Sequence, residues 1–250
     1  MMSTMLWLWA AATAQAGTTQ PAEPEPIEVI TVEASKRPLA TTELASRVTV
    51  IDQDRIEREL VQDIADLVRY EPGVDVADQG SRFGFSGFSI RGIGGNRVRT
   101  EIDGVATSDA FSIGNFSNAG RDFIDVESIK QLEIVRGPGS AMFGSNAIGG
   151  VVSYVTKGPD DYLDGGDAYL DVNAGYNSVD SSAVAGLTGA LRSGDVAAML
   201  SVNTRNGGQR DNPFADPLDA RSINVLAKLQ FGDMARGGFG LAVDHFDAVS

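Results

Sequence analysis

LEIVRGPGSAMFGSNAIGGVVSYVTK, residues 132–157, is the stretch from which the rest of the chain is best read. Leu132, Ile134 and Val135 form a short apolar strand that runs into Arg136-Gly137-Pro138. A Gly- and Ser-rich turn region follows, with Gly139, Gly144, Gly149 and Gly150, and a second β-branched strand, Val151 to Thr156, closes the unit. Glycines at this density do not fill a core; they permit positive φ and close backbone approach. Gly139 to Gly144 has the spacing of a phosphate loop, but Ser145 stands where the lysine must be, so no nucleotide site is expected there.

Composition narrows the function classes. The 250 residues carry a formal net charge of −14, the wrong sign for a nucleic-acid footprint. Cysteine is absent, so neither a disulfide framework nor a thiolate metal site is available. The single histidine, His245, leaves almost nothing for a multi-histidine metal centre or a Ser/His pair. No catalytic residues and no resident metal or cofactor are expected. Solvated loop charge is the reading for the Asp160-Asp161 and Asp211/Asp216/Asp219 groups, with weak calcium binding as the alternative. Gly92-Ile93-Gly94-Gly95 hints at a dinucleotide loop but lacks the final glycine and the following long helix.

The N-terminus reads as an export signal over residues 1–16. Met5 to Ala12 is an apolar run too short to span a bilayer, and Ala14-Gln15-Ala16 supplies a cleavage site. The Pro-, Thr- and Glu-rich segment that follows reads as a linker over residues 17–44. Within it, Ile27-Glu28-Val29-Ile30-Thr31-Val32-Glu33-Ala34 alternates like a lone strand, either an edge strand or a strand presented for addition to another protein.

Residues 45–158 read as an α+β unit. Arg47 to Asp52 is a strand, Asp52 or Asp54 caps a helix through Glu59, and Asp63 caps a second helix stopped by Pro72-Gly73. Phe88 to Arg91 is a short strand, Gly92 to Asn96 a turn, and Val98 to Ile102 a strand turned at Asp103-Gly104 into Val105. Val126 to Lys130 reads as one helical turn.

From residue 163 to 250 the pattern changes to dyad alternation. Five strands are predicted: Asp167 to Tyr176, Ser182 to Arg192, Asp195 to Arg205, Ser222 to Phe231 and Phe239 to Asp247. Their length is that of a transmembrane β-strand, with short turns at Arg192 to Asp195 and Gly232 to Gly237 and a long polar connection over Asn206 to Arg221. A soluble β-sandwich fits the alternation almost as well. Five strands cannot close a plugged barrel, so on the membrane reading the barrel is incomplete and the chain is the N-terminal fragment of a longer protein.

These pieces resemble TonB-dependent outer-membrane receptors. The opening stretch matches the end of their plug signature at Glu133, Arg136-Gly137-Pro138, Ser140, Phe143-Gly144, Ala147, Gly149-Gly150-Val151 and Thr156-Lys157, with Phe143 in place of the usual tyrosine. The resemblance implies an α+β plug domain followed by the first antiparallel strands of a transmembrane β-barrel, in a Gram-negative outer membrane. It implies that residues 27–34 are the TonB box, with TonB, outer-membrane lipid and an extracellular iron ligand as partners. Arg91 and Arg136 would face the barrel wall and pair with its carboxylates. Gly92, Gly94, Gly95, Gly137, Gly139, Gly144, Gly149 and Gly150 would let the plug pack and rearrange in a narrow lumen.

The wording of residues 88–105 and 121–157 looks most like the haem and haemoglobin-type receptors, which makes haem or a haem-protein the expected ligand, with a ferric siderophore as the alternative. The expected plug has no histidine to ligate haem iron. Tyr70 and Tyr154 are read as packing residues and His245 as a lumen or interface residue. A truncated, non-transporting surface or periplasmic binding module is the alternative of another class.

Overall fold

Aspartates begin the two helices of the N-terminal unit. Asp52 accepts from the Arg55 amide at 2.8 Å and opens α1, Gln53–Arg58. Asp63 accepts from the Asp66 amide at 2.8 Å and opens α2, Ile64–Leu67. Each carboxylate satisfies an amide that the first helical turn leaves without a partner. The computed structural model describes residues 48–78, 85–109, 124–178, 181–208, 219–232 and 238–249. The expected export signal, linker and box strand lie outside the described residues.

Among the described residues eight strands build the unit: β1 (Val48–Ile51), β2 (Val74–Asp78), β3 (Phe85–Ile90), β4 (Ile93–Gly94), β5 (Val98–Ile102), β6 (Val105–Ala106), β7 (Ile129–Arg136) and β8 (Gly150–Thr156). Five of them form a mixed sheet in the order β1-β7-β8-β5-β6, in which β5 and β8 run parallel and the other pairs antiparallel. The strands β2, β3 and β4 form a second, smaller sheet. Between them lies one apolar core that includes Ile51, Leu67, Phe88, Ile90, Ile129, Leu132, Ile134, Val152 and Tyr154. Each of these side chains contributes about 1.5–3 kcal/mol relative to exposure.

Two hairpins turn on pairs of residues with positive φ. Ile90 pairs with Ile93 across Arg91 (φ +52°) and Gly92 (φ +80°), and Ile102 pairs with Val105 across Asp103 (φ +47°) and Gly104 (φ +77°). Positive φ at both central positions matches the right-handed twist of the flanking strands. Arg91 therefore belongs to a turn and not to the strand expected to end there. The expected helical turn at Val126 to Lys130 is a 3₁₀ turn over Val126–Ser128, and Ile129 already belongs to β7. The strand β2 and the short helices α3 (Ser140–Phe143) and α4 (Pro159–Leu163) were not expected.

The second half is a five-stranded antiparallel meander: β9 (Ala168–Asn177), β10 (Ser182–Ser193), β11 (Val196–Gly208), β12 (Asp219–Phe231) and β13 (Phe239–Val249). Gly194 (φ +58°) and Asp195 make the two-residue turn between β10 and β11. The long connection expected over 206–221 is shorter, because β11 runs on to Gly208 and β12 starts at Asp219.

Which face of this sheet is covered separates the two readings of its alternation. Leu170 is 75% exposed, Val172 72% and Leu191 65%, whereas Ser201 and Asn224 are each 1% exposed. A soluble sandwich buries its apolar face. Here the apolar face points out and the polar face is covered, the polarity of a membrane barrel wall. The covering is supplied by α4, whose Leu163, with Tyr162 against it, packs on Ala190, Ala197, Met199 and Leu226, and by the α+β unit.

Candidate functional site

The glycine-rich stretch is held by its own backbone. The amides of Gly137 and Gly139 donate to the carbonyls of Gly149 and Ala147 at 3.0 and 2.9 Å, and those of Ile148 and Gly149 both reach the Arg97 carbonyl. Phe143 and Gly144 donate back to Gly139 and Ser140, so these amides are not free to cradle an anion. Phe143, Ala147 and Val151 pack with Val48, Val50 and Val135 into a small second core. Gly150 (φ +153°) is the tightest point: a Cβ there would sit 2.3 Å from the Val135 carbonyl oxygen and 2.7 Å from Ile90 Cδ1. Gly149 is close-packed against Ile93. Gly92, Gly95, Gly137 and Gly144 are needed for positive φ, while Gly94 is in ordinary extended backbone.

The two arginines have different surroundings. Arg136 is largely buried. Its guanidinium donates to Glu71 at 2.9 Å and to the Thr49 hydroxyl, and Glu71 also takes Arg55 at 2.6 Å. Arg136 thus ties β7 to β1 and to the segment after α2. Arg91 is exposed, and its amide donates to the Gly73 carbonyl at 2.7 Å. Thr49 and Glu71 both lie within the α+β unit.

Between that unit and the long sheet, the cations sit on the sheet. Lys228 of β12 donates to the Thr156 carbonyl at 2.9 Å and lies 3.1 Å from Asp103. Arg205 of β11 donates to the Gln62 carbonyl at 2.9 Å, and Asn177 of β9 to the Gln62 side chain at the same distance. Arg192, beside the β10–β11 turn, pairs with Asp160 of α4. Asp125, ahead of β7, faces Asn203 and Arg205, and burial raises its carboxyl above the ordinary carboxylate range. Burial likewise pushes the Tyr162 hydroxyl up, although it bonds Thr188 on the sheet. Thr188 in turn contacts the Ser201 hydroxyl at 2.9 Å in the covered face.

The other sequence candidates take structural places. Tyr154 is buried against Phe88, with ring centroids 6.2 Å apart, and Tyr70 is exposed. His245 pairs in register with Val225 on the outward face of β13, so the lumen half of its expectation does not hold. Strand alternation places it with Leu241 and Val243, away from the covered side. Asp161 binds Lys130 at 2.6 Å and caps α4 through the Gly158 amide, while Asp160 holds Arg192. Asp219 begins β12, and Asp211 and Asp216 lie outside the described residues. Among the described residues no group of three or more His, Cys, Asp or Glu could hold a metal ion. In the sequence, alternation marks Lys228 only as a polar member of its strand. A long cation in the middle of a membrane-length strand, on the polar face, reaches toward whatever fills the lumen, and that was the available signal.

Comparison with known proteins gives the frame for this geometry. Residues 40–151 match the model of the TonB-dependent receptor plug domain. "Hemoglobin and hemoglobin-haptoglobin-binding protein A" of Haemophilus influenzae is 38% identical over 229 residues, which are 81% of this chain and 21% of that protein. "Hemoglobin-binding protein A" of the same species is 33% identical over 80% of this chain and 22% of its own length. The chain thus spans about a fifth of the length of the curated relatives it matches. Among solved structures, the hemophore receptor HasR of Serratia marcescens, in complex with its hemophore HasA and heme, superposes with a TM-score of 0.68 at 20% identity, over 81% of this chain and 31% of that one. The siderophore receptor PirA of Acinetobacter baumannii gives 0.63 at 21% identity, over 82% and 32%. An α+β unit tied off by the Gly150 turn, a sheet with its apolar face outward and a matching plug model lead to one assignment: the chain belongs to the TonB-dependent outer-membrane receptors, with the plug in its α+β unit and the opening strands of the barrel wall in β9–β13.

Proposed function

We propose that this chain is the plug and first wall strands of a receptor that imports haem, or iron from a haem-protein, across a Gram-negative outer membrane. The observation that carries the ligand is the relatedness at 33–38% identity, over about four-fifths of this chain, to proteins named for binding haemoglobin. The siderophore-receptor likeness stands at 21% identity and speaks for the fold alone. The ligand is held outside, the strand at residues 27–34 is offered in the periplasm, and TonB takes it by strand addition and pulls. A plug seated by a modest set of ionic and polar contacts suits such a cycle, because a seat of that kind yields to force without unfolding the wall.

The test is growth of a strain lacking the intact gene, on haem or haemoglobin and on ferric siderophores as sole iron source. Loss of growth on haem and haemoglobin only, restored by the gene, is expected. Loss on a siderophore alone replaces the ligand. Normal growth on all sources, with the product absent from the outer-membrane fraction, overturns import in favour of a non-transporting binding module.

A further inference from the structure

Asp103 sits at the tip of the β5–β6 hairpin in a left-handed conformation (φ +47°), which costs an aspartate energy unless its surroundings hold it there. Three bonds hold it to the end of β8. Its amide donates to the Tyr154 carbonyl at 2.8 Å, and its carboxylate accepts the Thr156 amide at 2.8 Å and the Thr156 hydroxyl at 2.5 Å. Lys228 closes the cluster from the wall, with its ammonium on both the Asp103 carboxylate and the Thr156 carbonyl. The Lys228 side chain is 16% exposed and that of Asp103 32%, so the pair is less exposed than the Arg192–Asp160 contact, at 39% and 58%. A charge-assisted hydrogen bond in such a place is about twice as strong as a neutral one.

The position gives the contact its meaning. Strand β8 continues through residues 157–167 into β9, so its end is already leashed to the wall by the chain itself. The β5–β6 hairpin has no covalent leash of this kind: it follows β1 to β4 in the chain and is joined to β8 by the β5–β8 ladder and the bonds of Asp103.

We propose that Lys228 is a positioning residue for transport, which pins the β5–β6 hairpin to the wall and so separates the part of the plug that yields under pull from the part that stays. This rests on the import reading, but the pin itself is measurable without transport. Hydrogen exchange on the intact receptor, purified from outer membranes, reads it directly. In Lys228→Met the amides of residues 98–106 are expected to exchange on the order of tenfold faster, with β10 and β11 unchanged and Lys228→Arg restoring protection. Unchanged exchange in 98–106, or faster exchange throughout the wall, overturns the pin. In cells, Lys228→Met is expected to leave haemoglobin binding intact and to change uptake. Faster exchange of the hairpin with uptake equal to that of the natural protein removes the role in transport and leaves the pin. A natural receptor that takes up no haem strikes the import reading alone.

Discussion

The cost of a side chain at each plug glycine separates two jobs that the sequence writes with the same letter. At Gly137 (φ +98°) an added Cβ meets nothing within 4 Å, so only the conformation resists. At Gly150 conformation and space both resist, since the Cβ would collide with the Val135 carbonyl. Gly137→Ala is therefore expected to lower stability by roughly 1 kcal/mol. Gly150→Ala is expected to lower it by about 3 kcal/mol or more, because backbone must shift. Urea unfolding of the purified receptor checks this, and equal losses would mean that the strand crossing at Gly150 relaxes. Motif and spacing showed the glycines but could not rank them, because Ile90 lies 60 positions from Gly150 and their contact exists only once β3 lies across β8. The same limit hid the partners of Arg136. Its place before Gly137 was plain, whereas Glu71 and Thr49 are brought to it by the pairing of β1 with β7 and by the end of α2.

At the scale of elements, long regular patterns were readable and short ones were not. The wall strands declare themselves by long runs of alternation, broken on the covered face at Ala190, Ala197, Met199 and Leu226, and their register pairs apolar with apolar on the other face, as in Val172, Leu187, Val202 and Val225. The strand β2 has only Val74 and Val76 to show beside Asp75, directly after a helix stop, and α4 is five residues long with Gly158 and Pro159 as its only start signal. Alternation alone did not tell a sandwich from a barrel, because period two marks two faces without saying which meets water. The exposed apolar face makes a direct prediction. Leu187→Arg, in mid-strand on that face, is expected to cost about 2–4 kcal/mol of folding into lipid vesicles, against about 0–1 for Asp247→Lys near the polar end of β13. Equal costs in a urea titration would place the bilayer elsewhere.

For the whole molecule, charge is divided by sign across the seam between the plug and these strands. In β9–β13 the wall supplies Lys228, Arg192 and Arg205, and the plug side supplies Asp103, Asp160 and the Gln62 carbonyl. Contacts of this polarity seat the plug on the wall's own strands. The proposed coupling is tested from the other end. Val29→Pro or Ile30→Pro removes a ladder donor from the strand offered to TonB, and is expected to abolish uptake while ligand binding stays intact. Normal uptake by both variants would remove residues 27–34 from that role.

The helix α4 carries a consequence for assembly. It lies in the chain between the last plug strand and the first wall strand, and its Leu163 is buried in the covered face of β10, β11 and β12. Those strands cannot complete their inner packing until the segment that leads out of the plug has been laid against them. The connection is thus more than a tether: the same short segment that leads out of the plug is a piece of the wall's inner packing, so cork and bottle share apolar contacts as well as a chain.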